Sequence, residues 1–362
     1  MVIAATALSA IGSAQWSVTV LRAGSGSVSY ATASNQTLTG GYSDGPRHGG
    51  YWTGDSSTWV DLHPSGATTS EVRGAGFGYQ VGTVSIGGND HAARWTGSVD
   101  SFVDLNPSWA TESDAYATTL HQQLGSSTIG TSIHATMWAG SAASAIDIHP
   151  TGWDHSIGRA MDDFQQVGSV FSGVGFSGTT HAGFWMGSSG SFVDLHPAGT
   201  IFSEGYGVSG GEQVGYVRTA LGNRASLWTG SAASWVNLHP VGTGVSTVSA
   251  VEAGFQVGSA VIGGSLSSSG APGTWVGGAS HAYLWNGSSA SAVDLHPFLG
   301  NFGTSFATDI SVSPFAMYVT GFGFNMDTGR VDAFVLTRPV PEPASIAGLA
   351  LGALAVVRRR RK

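Results

Sequence analysis

The chain has 362 residues, with 55 Gly, 12 Trp, no Cys and 36 charged side chains. The missing Cys exclude disulfides, thiol catalysis and Cys-ligated zinc, and the only Lys is the terminal Lys362, which removes P-loop, Schiff-base and Ser-x-x-Lys chemistry from the folded part. Residues 15–340 carry 9 basic against 21 acidic side chains, a net of −12 that repels nucleic acid and anionic membranes, while 41% hydrophobic residues are enough to fold.

Residues 1–14 are small and apolar, and Gly12-Ser13-Ala14 ahead of Gln15 fits a cleavage site. The segment reads as a truncated secretory signal peptide that lacks its basic n-region.

From there a repeat runs through the chain. A His-x-x-x-Trp segment starts at His48, His91, His134, His181 and His281, and Arg224 replaces His in one further copy. Successive starts are 43, 43, 47, 43 and 57 residues apart. Each copy is followed by a Gly turn and a second segment: Val60-Asp-Leu-His-Pro64, then equivalents beginning at Val103, Ile146, Val193, Val236 and Val293. A third segment alternates weakly. A fourth begins Gln-Val-Gly at Gln80, Gln166, Gln213 and Gln256, with Gln123-Leu-Gly125 as a variant. Short runs of β-branched and aromatic residues bounded by Gly or Pro predict four strands per unit, the signature of a propeller blade. A β-solenoid, or six blades plus extra strands, is the alternative.

Trp16 lies 43 residues before Trp59, so residues 16–47 read as a unit lacking its first strand, with Val18 and Val20 at the Asp-x-His positions. Val331–Leu336 reads as a lone first strand. Three N-terminal strands and one C-terminal strand would then complete a seventh blade and cover both open edges. The expectation is an all-β, seven-bladed propeller over residues 15–338.

These units resemble the HAF-family extracellular repeats of bacterial surface proteins, with the Phe of the name replaced by Gly, Ala, Thr or Tyr. The resemblance implies export and repetition, and it brings no catalytic residues with it.

The chain ends on Pro341-Glu342-Pro343, a run of 14 uncharged, mostly apolar residues from Ala344 to Val357, and Arg358, Arg359, Arg360, Arg361 and Lys362. This order, over residues 339–362, resembles the PEP-CTERM sorting signal of Gram-negative bacteria. The resemblance implies a short transmembrane helix that anchors the chain transiently in the inner membrane. It also implies an exosortase-like enzyme acting at the Pro-Glu-Pro motif, then delivery to the cell surface or extracellular space.

Residues that could carry chemistry are few. The Asp-x-His pairs at Asp61/His63, Asp147/His149, Asp194/His196 and Asp294/His296 put both side chains on one strand face, but two copies carry Asn106 and Asn237 instead. Structural hydrogen bonding therefore outranks a metal site, and no metal or cofactor is expected. Gly41-Tyr-Ser-Asp-Gly45 and Gly207-Val-Ser-Gly-Gly211 fit a nucleophile elbow without the helix that it needs.

In up-and-down blades, alternate loops share a face. The second-to-third and fourth-to-first connections absorb the length variation and so lie together. Trp109, Trp153 and Trp275 fall in those loops, with His155 and Phe298 nearby. Such residues stack on sugars or anchor a protein partner, or else cap their own blades. The expectation is a non-enzymatic structural or binding module that meets an exopolysaccharide or a surface protein. The alternatives are a secreted carbohydrate-active enzyme using acids outside the repeat columns (Glu112, Asp114, Asp154, Glu204) and a matrix protein with no discrete ligand.

Overall fold

The structure is a computed structural model that describes residues 15–24, 28–35, 37–45, 47–173, 178–266 and 275–340. Seven four-stranded antiparallel sheets are arranged as the blades of a propeller. Blades 1–6 span residues 28–61, 69–104, 112–147, 155–194, 202–237 and 246–294. In blade 2, typical of these, the strands from the inside out are Thr69–Gly76, Tyr79–Ile86, Asn89–Trp95 and Val103–Asp104. The third segment of the repeat is thus innermost and the Val-Asp-Leu-His-Pro segment outermost. Blade 6 carries an extra two-stranded excursion, Ser265–Leu266 with Trp275–Val276.

Blade 7 closes the ring in the sense opposite to the sequence expectation. Phe306–Val312, Ala316–Asn325 and Arg330–Pro339 supply three strands from the C-terminal side. Ser17–Leu21 alone comes from the N-terminal side and lies outermost. The register corrects the alignment as well. Leu21 pairs with Ala333 just as Leu62 meets Gly49, so Val20 and Arg22, rather than Val18 and Val20, occupy the Asp-x-His positions.

Each repeated column has a packing reason. Trp52, Trp95, Trp138, Trp185, Trp228 and Trp285 are fully buried, and blade 7 has Leu336 in their place. Each packs on the blade before it: Trp138, for example, clusters with Val81, Ala92 and Leu105 of blade 2. The Gln of Gln-Val-Gly is buried, and its Oε1 accepts the N–H of the Gly that follows the Trp, as in Gly97 to Gln80 at 2.8 Å. Gly140, Gly187, Gly230 and Gly287 do the same to Gln123, Gln166, Gln213 and Gln256.

Blade 1 lacks this bond because Thr39 stands at the Gln position, beside a cavity of about 320 Å³ that Trp52 and Gly54 also line. Thr39→Gln should fill part of that space and accept the Gly54 N–H, stabilising the fold by about 1 kcal/mol in chemical denaturation. A lower midpoint would contradict it.

The Asp-x-His pairs form a latch across the blade interfaces. His48 Nδ1 donates to Asp61 Oδ2 at 2.8 Å, and the His63 backbone N–H donates to Asp61 Oδ1 at 2.8 Å. The two imidazoles stack with centroids 3.9 Å apart. His63 Nε2 donates to Ala67 O, which leaves Nδ1 to accept from Ser70 Oγ of blade 2. Ser70 Oγ in turn accepts the N–H of Gly49, back in blade 1. A buried serine stands within one residue of the start of every inner strand: Ser29, Ser70, Ser113, Ser156, Ser203, Ser246 and Ser305. Asn106 replaces the second His and accepts from Ser113, while Arg224 lies over His239 in blade 5. At the closing blade, Asp332 takes the first His position and pairs directly with Arg22 at 3.1 Å.

Burial, helped by the stacked partner ring, holds His63, His149, His196 and His296 below the ordinary imidazole value; burial and Arg224 push His239 down to about 4. Unfolded imidazoles take up a proton near pH 6.5 and these resist it. The stability they contribute is therefore complete above pH 6.5 and drains as the pH falls through the folded values. Asp309 works in the opposite direction, because burial pushes its carboxyl up to about 7 and its contribution is lost as the pH rises through that value. Burial raises the Glu252 carboxyl as well, and with five imidazoles against these two carboxyls the melting temperature should peak near neutrality and fall between pH 6.5 and 4. A melting temperature that climbs steadily to pH 4 would count against the latch.

Candidate functional site

The innermost strands all break register at the same place. A β-bulge inserts one extra residue between Ala31/Ala33, Val72/Gly74, Ala115/Ala117, Gly158/Ala160, Gly205/Gly207, Val248/Ala250 and Ala307/Asp309. The Gly of Gln-Val-Gly makes the bulge possible. A Cβ on Gly82, Gly125 or Gly168 would overlap the carbonyl oxygen of Glu71, Asp114 or Ile157 on the inner strand. The extra residues, Thr32, Arg73, Tyr116, Arg159, Tyr206, Ser249 and Thr308, line a central cavity of about 220 Å³.

This ring is not uniform. Thr32 and Thr308 turn their hydroxyls to the next blade, donating to Val72 O and Ala31 O. Arg73, Tyr116, Arg159 and Tyr206 form an alternating cationic and aromatic arc. The Arg73 guanidinium lies 5.0 Å from the Tyr116 ring, and that of Arg159 lies 5.8 Å from Tyr116 and 5.2 Å from Tyr206.

An acidic layer sits two residues earlier on the same strands. Glu71 receives Arg73 at 3.0 Å and Arg47 at 2.6 Å, and Asp114 Oδ1 accepts from Thr83 Oγ1. Glu204 is clasped by two phenols, accepting from Tyr206 at 2.9 Å and Tyr216 at 2.7 Å, with Arg159 at 3.7 Å. Burial and the neighbouring carboxylate push both phenols above their ordinary value, so neither is a phenolate nucleophile near neutrality. Burial, then Glu71, pushes Tyr42 up to about 12.

Arg159 and Glu204 also form the floor of a second cavity, of about 480 Å³, between blades 4 and 5. Ile157, Phe171, Gly178, Thr180, Ile201 and Phe202 line the rest of it. Phe171 ends its strand, and Thr180 and Phe202 begin theirs, so the cavity opens on the face of the variable loops.

The antiparallel order puts the loops that carry Trp109, Trp153, Trp275 and Phe298 on that same face. Trp109 is 41% exposed. Trp153 is half-buried against the Leu124 and Ile148 cluster, and its ring meets His181 edge-on at 4.9 Å. His155 accepts the N–H of Ile133 from the preceding blade. Phe298 lies 6.3 Å from Trp16 and is 38% exposed. Trp275 sits in the strand of the blade 6 excursion, and its side chain is outside the described residues. The sorting residues Pro341, Glu342, Pro343 and Arg358 to Arg361 also lie outside them.

Of the acids outside the repeat columns, Glu204 lines the cavity between blades 4 and 5, and Asp114 lies 3.7 Å from Arg73 of the central ring. Glu112 is exposed, and Asp154 accepts from Gly173 N. Among the described residues, no group of three or more His, Asp or Glu is placed to hold a metal ion, and no helix is long and apolar enough to cross a membrane.

The bulge ring was missed in the sequence, although a signal was there. Each ring residue follows a buried serine by three positions and, in six blades, precedes Ala or Gly; Asp309 takes that place in blade 7.

Residues 339–362 match the PEP-CTERM protein-sorting motif. No curated protein matches the chain. Among solved structures it is similar to the β-propeller domain of the trilobed protease from Pyrococcus furiosus, described as having an open velcro topology. The TM-score is 0.53 at 8% identity over 87% of this chain and 96% of that one. An acylaminoacyl peptidase in complex with Z-Gly-Gly-Phe-chloromethyl ketone gives 0.53 at 7% identity, covering 88% of this chain and 53% of that one. The acylaminoacyl peptidase of Pyrococcus horikoshii gives 0.51 at 6%, covering 89% and 53%. The chain thus spans about half the length of these peptidases. At such identities the likeness is one of fold alone.

Proposed function

We propose that this exported propeller is a non-enzymatic binding module whose variable-loop face meets a glycan or a surface protein. The PEP-CTERM motif marks the chain for exosortase and for the cell envelope. The repeated segments, with their likeness to HAF-family extracellular repeats, support the same destination.

The observation that carries the binding role is Trp109. It stands exposed on the loop face of a fold whose repeated tryptophans are all buried. A rigid scaffold that displays an aromatic loop residue suits recognition.

The test is to add the host's own exopolysaccharide to the intact chain and follow Trp fluorescence and released oligosaccharide. Saturable quenching without release supports the module, and release supports the carbohydrate-active enzyme instead. Trp109→Ala should weaken retention about tenfold with an unchanged melting temperature. Trp153→Ala should lower the melting temperature, because its ring packs in the core. Unaltered retention by Trp109→Ala would remove this face from the binding role.

A further inference from the structure

We propose that the cavity between blades 4 and 5 binds one neutral hexose unit of a glycan, with Glu204 accepting from and Arg159 donating to its hydroxyls. The proposal rests on the binding role above and gives that role a definite pocket.

A sugar ring has two kinds of surface. Its C–H face packs on apolar and aromatic side chains, and its vicinal hydroxyls each need a donor and an acceptor. The cavity offers both. Ile157, Phe171, Ile201 and Phe202 form apolar walls, and Thr180 adds a hydroxyl. The floor sets a carboxylate and a guanidinium 3.7 Å apart, longer than a hydrogen bond. The pair is therefore not closed on itself. Adjacent sugar hydroxyls can bridge it, one donating to Glu204 and the next accepting from Arg159.

Two further features prepare the floor. Arg159 Nε is buried, so a ligand meets the guanidinium through its Nη atoms, of which Nη2 stands 3.7 Å from Glu204. Its plane is held between the Tyr116 and Tyr206 rings, while Glu204 is fixed by the Tyr206 and Tyr216 hydroxyls. Neither group needs to be ordered when a ligand arrives. The volume of about 480 Å³ lies within the range of small-molecule sites. Charge decides for a neutral ligand over a uronate. Glu204 is part of the floor and residues 15–340 carry a net −12, while the one further cation beside the cavity among the described residues, Arg218, is turned onto the Phe202 ring at 5.4 Å.

The intact chain is titrated calorimetrically with neutral gluco-, galacto- and mannotetraose and with tetragalacturonate. At least one neutral tetrasaccharide should bind saturably and more tightly than tetragalacturonate. Glu204→Gln should weaken that binding by about tenfold or more. Because Glu204→Gln disturbs two phenols and can affect folding, Ile201→Trp is the second variant. Ile201 is 46% exposed at the rim, so the larger ring blocks the mouth without entering the core.

Loss of neutral-sugar binding in Ile201→Trp, with an unchanged melting temperature, supports the pocket. Tighter binding of tetragalacturonate overturns it, as does the absence of any neutral binding. Binding that survives Ile201→Trp but falls in Trp109→Ala also overturns the pocket, and leaves the loop-face role standing. Exopolysaccharide retention that persists without tetrasaccharide binding separates the two in the same way.

Discussion

Trp138→Ala should cost about 3–5 kcal/mol of unfolding free energy, and Trp185→Ala a similar amount. Each ring is fully buried in an interface between blades, so truncation opens a void that two neighbouring sheets would have to collapse to fill. The sheets are latched by Ser113 and Ser156, whose hydroxyls accept the backbone N–H of Ala92 and Ala135 across those interfaces. Collapse is therefore resisted and most of the cavity remains. Denaturant melts of the single variants read the cost directly. A loss below about 1 kcal/mol would mean that the blades slide to close the gap.

Asp332→Ala should be the most damaging substitution of a polar residue, at about 2–3 kcal/mol. The carboxylate is fully buried, and it accepts from Arg22 at 3.1 Å, Asn325 Nδ2 at 2.9 Å and Thr328 Oγ1 at 3.0 Å. Removing it strands an amide and a hydroxyl and frees two guanidinium groups, those of Arg22 and Arg330, whose side chains are 36% and 25% exposed. Water relieves part of that charge, so the cost stays below that of a fully enclosed pair. The second readout is local: hydrogen exchange in residues 17–21 should quicken, because Arg22 fastens that strand to blade 7. Unchanged protection there would contradict a closing role for the pair.

The repeat columns were legible because they are periodic. Trp, Gln, Asp and His recur at fixed spacing, and each recurs for a packing reason that six blades share. Blade 7 hid because it lacks those markers. Leu336 stands for Trp, Val319 for Gln and Asp332 for His, so residues 306–325 gave no sign of being two strands of a blade. The direction of closure was misread for the same reason. Which segment lies innermost is a matter of phase, and phase comes from long-range packing rather than from any one segment.

The ring of bulges was hidden by a different cause. An extra residue inside a strand carries no turn chemistry; only the glycine opposite and the serine three places before betray it. Loop parity, by contrast, follows from antiparallel order alone and could be argued without coordinates. It placed the loops but not the burial of their aromatics, and Trp109 and Trp153 differ for reasons of local packing that their spacing does not encode.

The pairing of Ser17 with Thr337 has a consequence for how the chain is made. Paired strands lie about 4.8 Å apart, so the two ends leave the ring side by side from one blade. During secretion, the first strand to emerge must wait for the last three before it has a partner. The ring stays open at this blade until residues 306–339 are in place. Pro341 follows only two residues after the final strand, so a cut at Pro-Glu-Pro leaves every paired residue in place. A chain that stalls early would present an open strand edge, and such an edge is what proteases and aggregation act upon.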